Sequence, residues 1–118
     1  MSEARLCGIL PLDKPPGWTS HDVVAKARGI LGYRRIGHAG TLDPMATGLL
    51  ILFVGKAARL TGLMPGDKTY QARLRLGYTS DTLDADGDVR PTGAAVPAPE
   101  TLRAVMPRFR GANEQIPP

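Results

Sequence analysis

Apolar and polar residues alternate along this chain in several distinct rhythms, and each predicts an element. Leu6–Leu12 is a short apolar run rich enough for a buried strand, ended by the turn-forming Asp13–Lys14–Pro15–Pro16–Gly17. Val23, Val24, Ala27, Ile30 and Leu31 then recur at helical spacing while Lys26 and Arg28 point elsewhere. That spacing predicts a helix over about 21–31, with Ser20 as N-cap, Asp22 in the first turn and Gly32 as the stop. Gly48–Val54 is apolar on both faces and predicts a central strand closed by Gly55; Lys56–Met64 reads as a short helix closed by Pro65–Gly66. The cleanest alternation follows, with Tyr70, Ala72, Leu74, Leu76 and Tyr78 on one side and Gln71, Arg73, Arg75 and Gly77 on the other. It predicts a half-buried strand whose arginines face solvent or a polyanion. Pro91–Pro99 reads as a surface connection. Leu102, Val105, Met106 and Phe109 suggest a last amphipathic helix from about Glu100, bent or ended at Pro107.

One stretch breaks the rhythm. Gly37–His38–Ala39–Gly40–Thr41–Leu42–Asp43–Pro44–Met45–Ala46–Thr47–Gly48 is too rich in Gly and Pro for regular structure and leads straight into the predicted central strand. Such loops sit at the surface on a rigid support and often carry function. Asp43 is the only acidic residue between Asp22 and Asp67, and Arg34 and Arg35 stand just before His38. Composition and spacing leave two readings of Asp43 open: a turn or cap residue, or a reactive carboxylate.

Composition narrows the possibilities. At 118 residues the chain is one domain or a piece of one, and Gly 14 with Pro 11 implies a globular fold with many loops. Lys plus Arg exceeds Asp plus Glu by 15 to 11, and the excess lies in residues 1–60, with eight basic and four acidic groups. A basic N-terminal half suits a polyanionic partner. Cys7 stands alone, so no intrachain disulfide or cysteine-based metal site can form. The apolar start is too short and too interrupted for a signal peptide or a membrane span, so a cytoplasmic protein without membrane association is expected. There is no glycine-rich phosphate loop and no G-x-S-x-G elbow. His21 and His38 lack zinc-ligand spacing. The acidic run Thr79–Asp88 fails as a calcium loop, because the twelfth position, where a bidentate Glu is needed, falls on Gly93. What remains is one carboxylate in a glycine-rich loop beside a histidine, with arginines and tyrosines suited to phosphates and unstacked bases.

Several segments together resemble one family. They are Gly8–Ile9–Leu10–Pro11–Leu12–Asp13–Lys14–Pro15–Pro16–Gly17–Trp18–Thr19–Ser20–His21–Asp22, the Gly37–Gly48 loop, and Asp67–Lys68–Thr69–Tyr70. Leu76–Gly77, Thr79, Asp81–Thr82, Asp84–Ala85–Asp86–Gly87, Phe109–Arg110–Gly111 and Gln115–Ile116–Pro117–Pro118 continue the series. In order and spacing they resemble the N-terminal part of the bacterial tRNA pseudouridine synthases of the TruB type, which modify uridine in the T-loop. The resemblance implies Asp43 as the catalytic nucleophile, Tyr70 as the aromatic that stacks on the target base, and His38 as the residue that enters the T-loop and helps hold the flipped nucleotide. It implies a mainly structural role for Lys14–Pro15, behind the catalytic loop. The residues leave open whether the carboxylate attacks C1′ of the ribose, attacks C6 of the base, or takes a proton to give a glycal.

The implied fold is α/β (α+β), a mixed and largely antiparallel sheet flanked by helices and loops, with RNA in a basic cleft. The implied partner is the T-stem-loop of tRNA, bound by a monomer that needs neither cofactor nor metal. The match ends about midway through a catalytic domain of this family. Residues 1–118 are therefore expected to be its N-terminal part. Further strands, a basic partner for the aspartate, a second tyrosine and a C-terminal PUA domain would be supplied elsewhere. A competing expectation is a truncated fragment that binds RNA without turning it over.

Overall fold

The computed structural model describes residues 6–117, so the first five residues of the apolar start, and Pro118 of the last motif, lie outside the described residues. The chain forms two compact units that divide after Tyr70.

The first unit is built on a three-stranded antiparallel sheet in the order β1–β3–β2. β1 spans Gly8–Lys14, β2 Ile36–Ala39 and β3 Gly48–Val54. The apolar run Gly48–Val54 is central, as its composition predicts, pairing Gly8↔Val54 through Lys14↔Gly48 on one side and Ile36↔Val54 through Ala39↔Ile51 on the other. Alternation along β3 turns Leu50, Leu52 and Val54 to one face, where they pack with Ile36, Leu42 and, from α1 (Ser20–Leu31), Val23, Val24 and Ala27. Each large side chain buried there contributes roughly 1.5–3 kcal/mol. Phe53, on the other face, is buried as well.

α1 begins with a capping box. The Thr19 hydroxyl accepts from the Asp22 N–H at 2.9 Å while the Asp22 carboxylate accepts from the Thr19 N–H at 2.9 Å. The cap is therefore Thr19, not the expected Ser20. Gly32 closes the helix in the left-handed region, as predicted. Ile30 is 73% exposed although its helical phase matches the core residues, because the final turn runs past the buried cluster. Gly37–Ala39, expected as loop, is strand: its backbone pairs with β3 despite the glycine. Gly55 ends β3 with φ +63, and a Cβ there would overlap the Leu6 carbonyl oxygen. The helix expected over 56–64 is a 3-10 helix, Gly55–Leu63.

The second unit holds a two-stranded antiparallel hairpin, β4 (Tyr78–Ser80) with β5 (Val89–Pro91), then α2 (Pro99–Val105) and a 3-10 turn, Met106–Phe109. The strand expected over 70–78 does not form: only Tyr78 belongs to a strand, and Leu74 is 79% exposed. Alternation makes a segment amphipathic if extended, but a strand needs a hydrogen-bonded neighbour. Among the described residues, 71–76 have none, and Gly77 makes a single backbone bond, its carbonyl accepting the Thr92 N–H at 2.9 Å. β5 takes only the first residue, Pro91, of the predicted 91–99 connection. The last helix starts at Pro99 and passes into the 3-10 turn at Pro107, where the missing N–H breaks the α-helical ladder. Of its expected apolar stripe only Leu102 is even partly buried. The α/β architecture with antiparallel sheets stands.

Candidate active site

The Asp43 loop lies between β2 and β3 and is fixed by side chains that arrive from β1 and α1. Burial along β1 alternates, with Leu10, Leu12 and Lys14 in one phase, so Lys14 falls at the end of the core face. Its side chain is fully buried, and Nζ donates to the carbonyls of Pro15 at 2.9 Å, Trp18 at 2.7 Å and Pro44 at 2.9 Å. An ammonium has three donors and no acceptor, so these carbonyls saturate it. The Pro44 carbonyl also accepts the Gly17 N–H at 2.7 Å. The residue after Asp43 is thus tied twice, to the end of β1 and to the turn that follows it. This geometry gives physical content to the supporting role expected of Lys14–Pro15.

The residue before Asp43 is held as tightly. Ser20, 3% exposed in the first turn of α1, accepts from the Leu42 N–H at 3.0 Å and donates to the Leu42 carbonyl at 3.2 Å. Leu42 is itself in the core cluster. The Asp43 carbonyl closes a tight turn by accepting the Ala46 N–H at 3.0 Å. Proline at 44 adds its own restriction, since the residue before a proline is driven to extended backbone. Asp43 is consequently an exposed carboxylate on an immobilised backbone.

Tyr70 is 56% exposed and lines a cleft of about 300 Å³. Gly40 and Leu42 of the loop, Leu49 and Ile51 of β3, and Lys68 share its walls. Lys68 ties this segment to the loop, donating from Nζ to the Thr41 carbonyl at 2.6 Å. The cleft brings Tyr70 onto the same walls as Leu42, the residue before Asp43; Asp43 itself does not line it.

His38 lies elsewhere. It pairs with Leu52, so strand alternation places it on the α1 face of the sheet with Ile36, whereas Ala39, Leu49 and Ile51 line the cleft from the opposite face. Its Nδ1 is buried and finds no hydrogen-bond partner among the described residues. His38 and Tyr70 are therefore not brought together here.

Two carboxyls are held below their ordinary range by local donors. For Asp22 these are the Thr19 N–H and hydroxyl; for Asp84 they are the Thr82 hydroxyl first, then the Asp86 N–H. The acidic loop consumes its own carboxylates in this way, with Asp81 accepting from the Asp88 N–H at 2.8 Å. Among the described residues no group of three or more His, Cys, Asp or Glu could hold a metal ion, and no helix is long and apolar enough to cross a membrane.

Sequence reasoning missed the part Ser20 plays. The only local signal was that Thr19 already satisfies the capping box with Asp22, which leaves the next hydroxyl without a helical task.

Residues 28–118 match the model of the TruB family pseudouridylate synthase N-terminal domain. The chain is 50% identical over 114 residues to tRNA pseudouridine synthase B of Gloeothece citriformis, a match that covers 96% of this chain and 37% of the relative. It is 50% identical over 116 residues to the protein of the same name from Opitutus terrae, covering 97% of this chain and 48% of that one. The chain thus spans less than half the length of these relatives. A solved structure of a Cbf5–Nop10–Gar1 complex contains a chain 49% identical over 47% of this one and 17% of its own length, with a TM-score of 0.45.

Proposed function

Since this chain belongs to the TruB family of pseudouridylate synthases, we propose that it supplies the catalytic loop of an enzyme that isomerises uridine to pseudouridine in tRNA. The substrate site is the T-loop, Asp43 is the nucleophile, and Tyr70 stacks on the target base. The reaction breaks the N1–C1′ bond, turns the base and rejoins it through C5. The proton leaves C5 and N1 gains one, so nothing is oxidised and no cofactor is required. Relatives named tRNA pseudouridine synthase B support tRNA as the partner class.

The observation that carries this reading is the fixation of Asp43 from both sides, next to Leu42, which shares the walls of a cleft with Tyr70. A reacting group on an immobilised backbone needs little reorganisation when substrate arrives. Extruding the base costs a few kcal/mol, which an aromatic platform and basic groups offset. Lys68, Arg34 and Arg35 supply positive charge on the same unit. His38 is assigned to the T-loop contact, a role that requires its ring to leave the α1 face when RNA binds. The test is release of tritium from C5-labelled uridine in a T-loop RNA, and its absence in the intact protein would contradict the reading.

A second reading is favoured by the alternating stretch 71–76, which has no strand partner among the described residues. In it, these 118 residues alone bind RNA but do not convert it. Salt-dependent binding without tritium release from the isolated chain would support that reading, and release would exclude it.

A further inference from the structure

We propose that Ser20 is a positioning residue for the Asp43 carboxylate, acting through both backbone polar groups of Leu42. The inference rests on Asp43 being the reacting group. Ser20 Oγ accepts from one peptide unit and donates to the next: the Leu42 N–H belongs to the peptide before Leu42, and the Leu42 carbonyl belongs to the peptide that joins Leu42 to Asp43. One hydroxyl can do both, having one donor and two lone pairs. Holding both planes fixes φ and ψ of Leu42, and with them the direction in which the chain enters Asp43.

The following peptide is fixed separately, through the Asp43 carbonyl and the Ala46 N–H. Only the side-chain torsions of Asp43 remain free. The contact spans 22 residues of sequence and is buried, with Ser20 at 3% exposure and Leu42 within the core. Water therefore cannot readily replace the hydroxyl.

Ser20 is not needed as the helix cap. Thr19 accepts the Asp22 N–H, so the two adjacent hydroxyls divide the work: Thr19 stabilises α1, and Ser20 aims the loop. This division separates positioning from stability. Loss of the Thr19 hydroxyl weakens the helix without moving Leu42. Loss of the Ser20 hydroxyl leaves the cap intact but frees the peptide that leads into Asp43.

The test is steady-state turnover of T-loop RNA by the intact protein, with kcat and KM resolved, for Ser20→Ala, Ser20→Cys, Thr19→Ala and Asp43→Asn. Misplacing a reacting group by about 1 Å costs up to roughly 100-fold in rate. Ser20→Ala is expected to lower kcat about 10- to 100-fold while KM for RNA moves less than about threefold. Thr19→Ala should lower the melting temperature and leave kcat unchanged. Ser20→Cys keeps the size of the side chain with a weaker donor, and carries the same expectation if the alanine variant does not melt cooperatively. A folded Ala or Cys variant with wild-type kcat, or a loss confined to KM, overturns the proposal. Failure of both variants to fold also overturns it, by making Ser20 a structural residue. Turnover by Asp43→Asn would instead refute the catalytic reading of Asp43. An inactive Asp43→Asn beside a fully active Ser20→Ala refutes the positioning alone.

Discussion

Replacing Lys14 by methionine removes a charge from the interior while nearly preserving the volume of the side chain. The ammonium makes three hydrogen bonds in a fully buried position, to the carbonyls of Pro15, Trp18 and Pro44. Of these, Pro44 retains the Gly17 N–H as a second donor. Pro15 and Trp18 lose their lysine donor, and a hydrogen bond to a charged group contributes about 1.5–3 kcal/mol. Relief from burying the charge, together with the apolar contacts of methionine, offsets part of that. The net expectation is a destabilisation of roughly 2–4 kcal/mol, a large share of the 5–15 kcal/mol typical of a domain. Urea unfolding of the intact protein reads it directly, as a lower midpoint with an unchanged slope. A variant with the wild-type midpoint would show that the carbonyl cage does not hold the loop. Lys14→Arg should be destabilising too, because a planar guanidinium cannot reproduce three bonds converging on one nitrogen.

Further consequences follow from the same geometry. Gly55→Ala forces a left-handed φ on a residue with a Cβ and drives that atom into the Leu6 carbonyl, so stability should fall by more than about 2 kcal/mol in the same urea experiment. An unchanged midpoint would refute the close approach. The depressed carboxyl of Asp22 contributes stability that is present above its unfolded value near ~3.9 and is lost as pH falls through the lower folded value. The stability difference between wild type and Asp22→Asn should therefore shrink as pH drops from about 5 to about 3, and a constant difference would contradict the capping box. Tyr70→Ala should cut turnover at least about 10-fold, the scale of one lost base-stacking contact at ~1–3 kcal/mol. Undiminished turnover would make Tyr70 a wall of the cleft and nothing more.

Much of the first unit is legible in the sequence because its signals are local and dense. Gly48–Val54 reads as a central strand from continuous apolar character, and α1 reads from spacing plus Gly32. The misplaced cap at Ser20 had a readable remedy, since Thr19 and Asp22 stand three apart as a capping box requires. The clamps on Asp43 had none: Lys14 reaches Pro44 across 30 residues, and Ser20 reaches Leu42 across 22. Such contacts exist only once the sheet and α1 have met. The stretch 71–77 misled for the opposite reason, its alternation being strong while no neighbouring strand among the described residues takes it up. His38 likewise looked close to the Asp43 carboxylate along the chain. Strand pairing with Leu52 then turned it to the face of the sheet away from Tyr70.

The central claim is that the Asp43 carboxylate performs the isomerisation on a loop prearranged to hold it. Asp43→Asn keeps the size of the side chain and removes the negative charge, while the bonds made by Leu42, Pro44 and the Asp43 carbonyl are untouched. Tritium release from C5-labelled uridine in T-loop RNA, followed alongside RNA binding in the intact protein, tests it most directly. The account predicts release by the wild type, none above background by Asp43→Asn, and affinities for the RNA within a few-fold of each other. Release by the asparagine variant at a rate near wild type would contradict it.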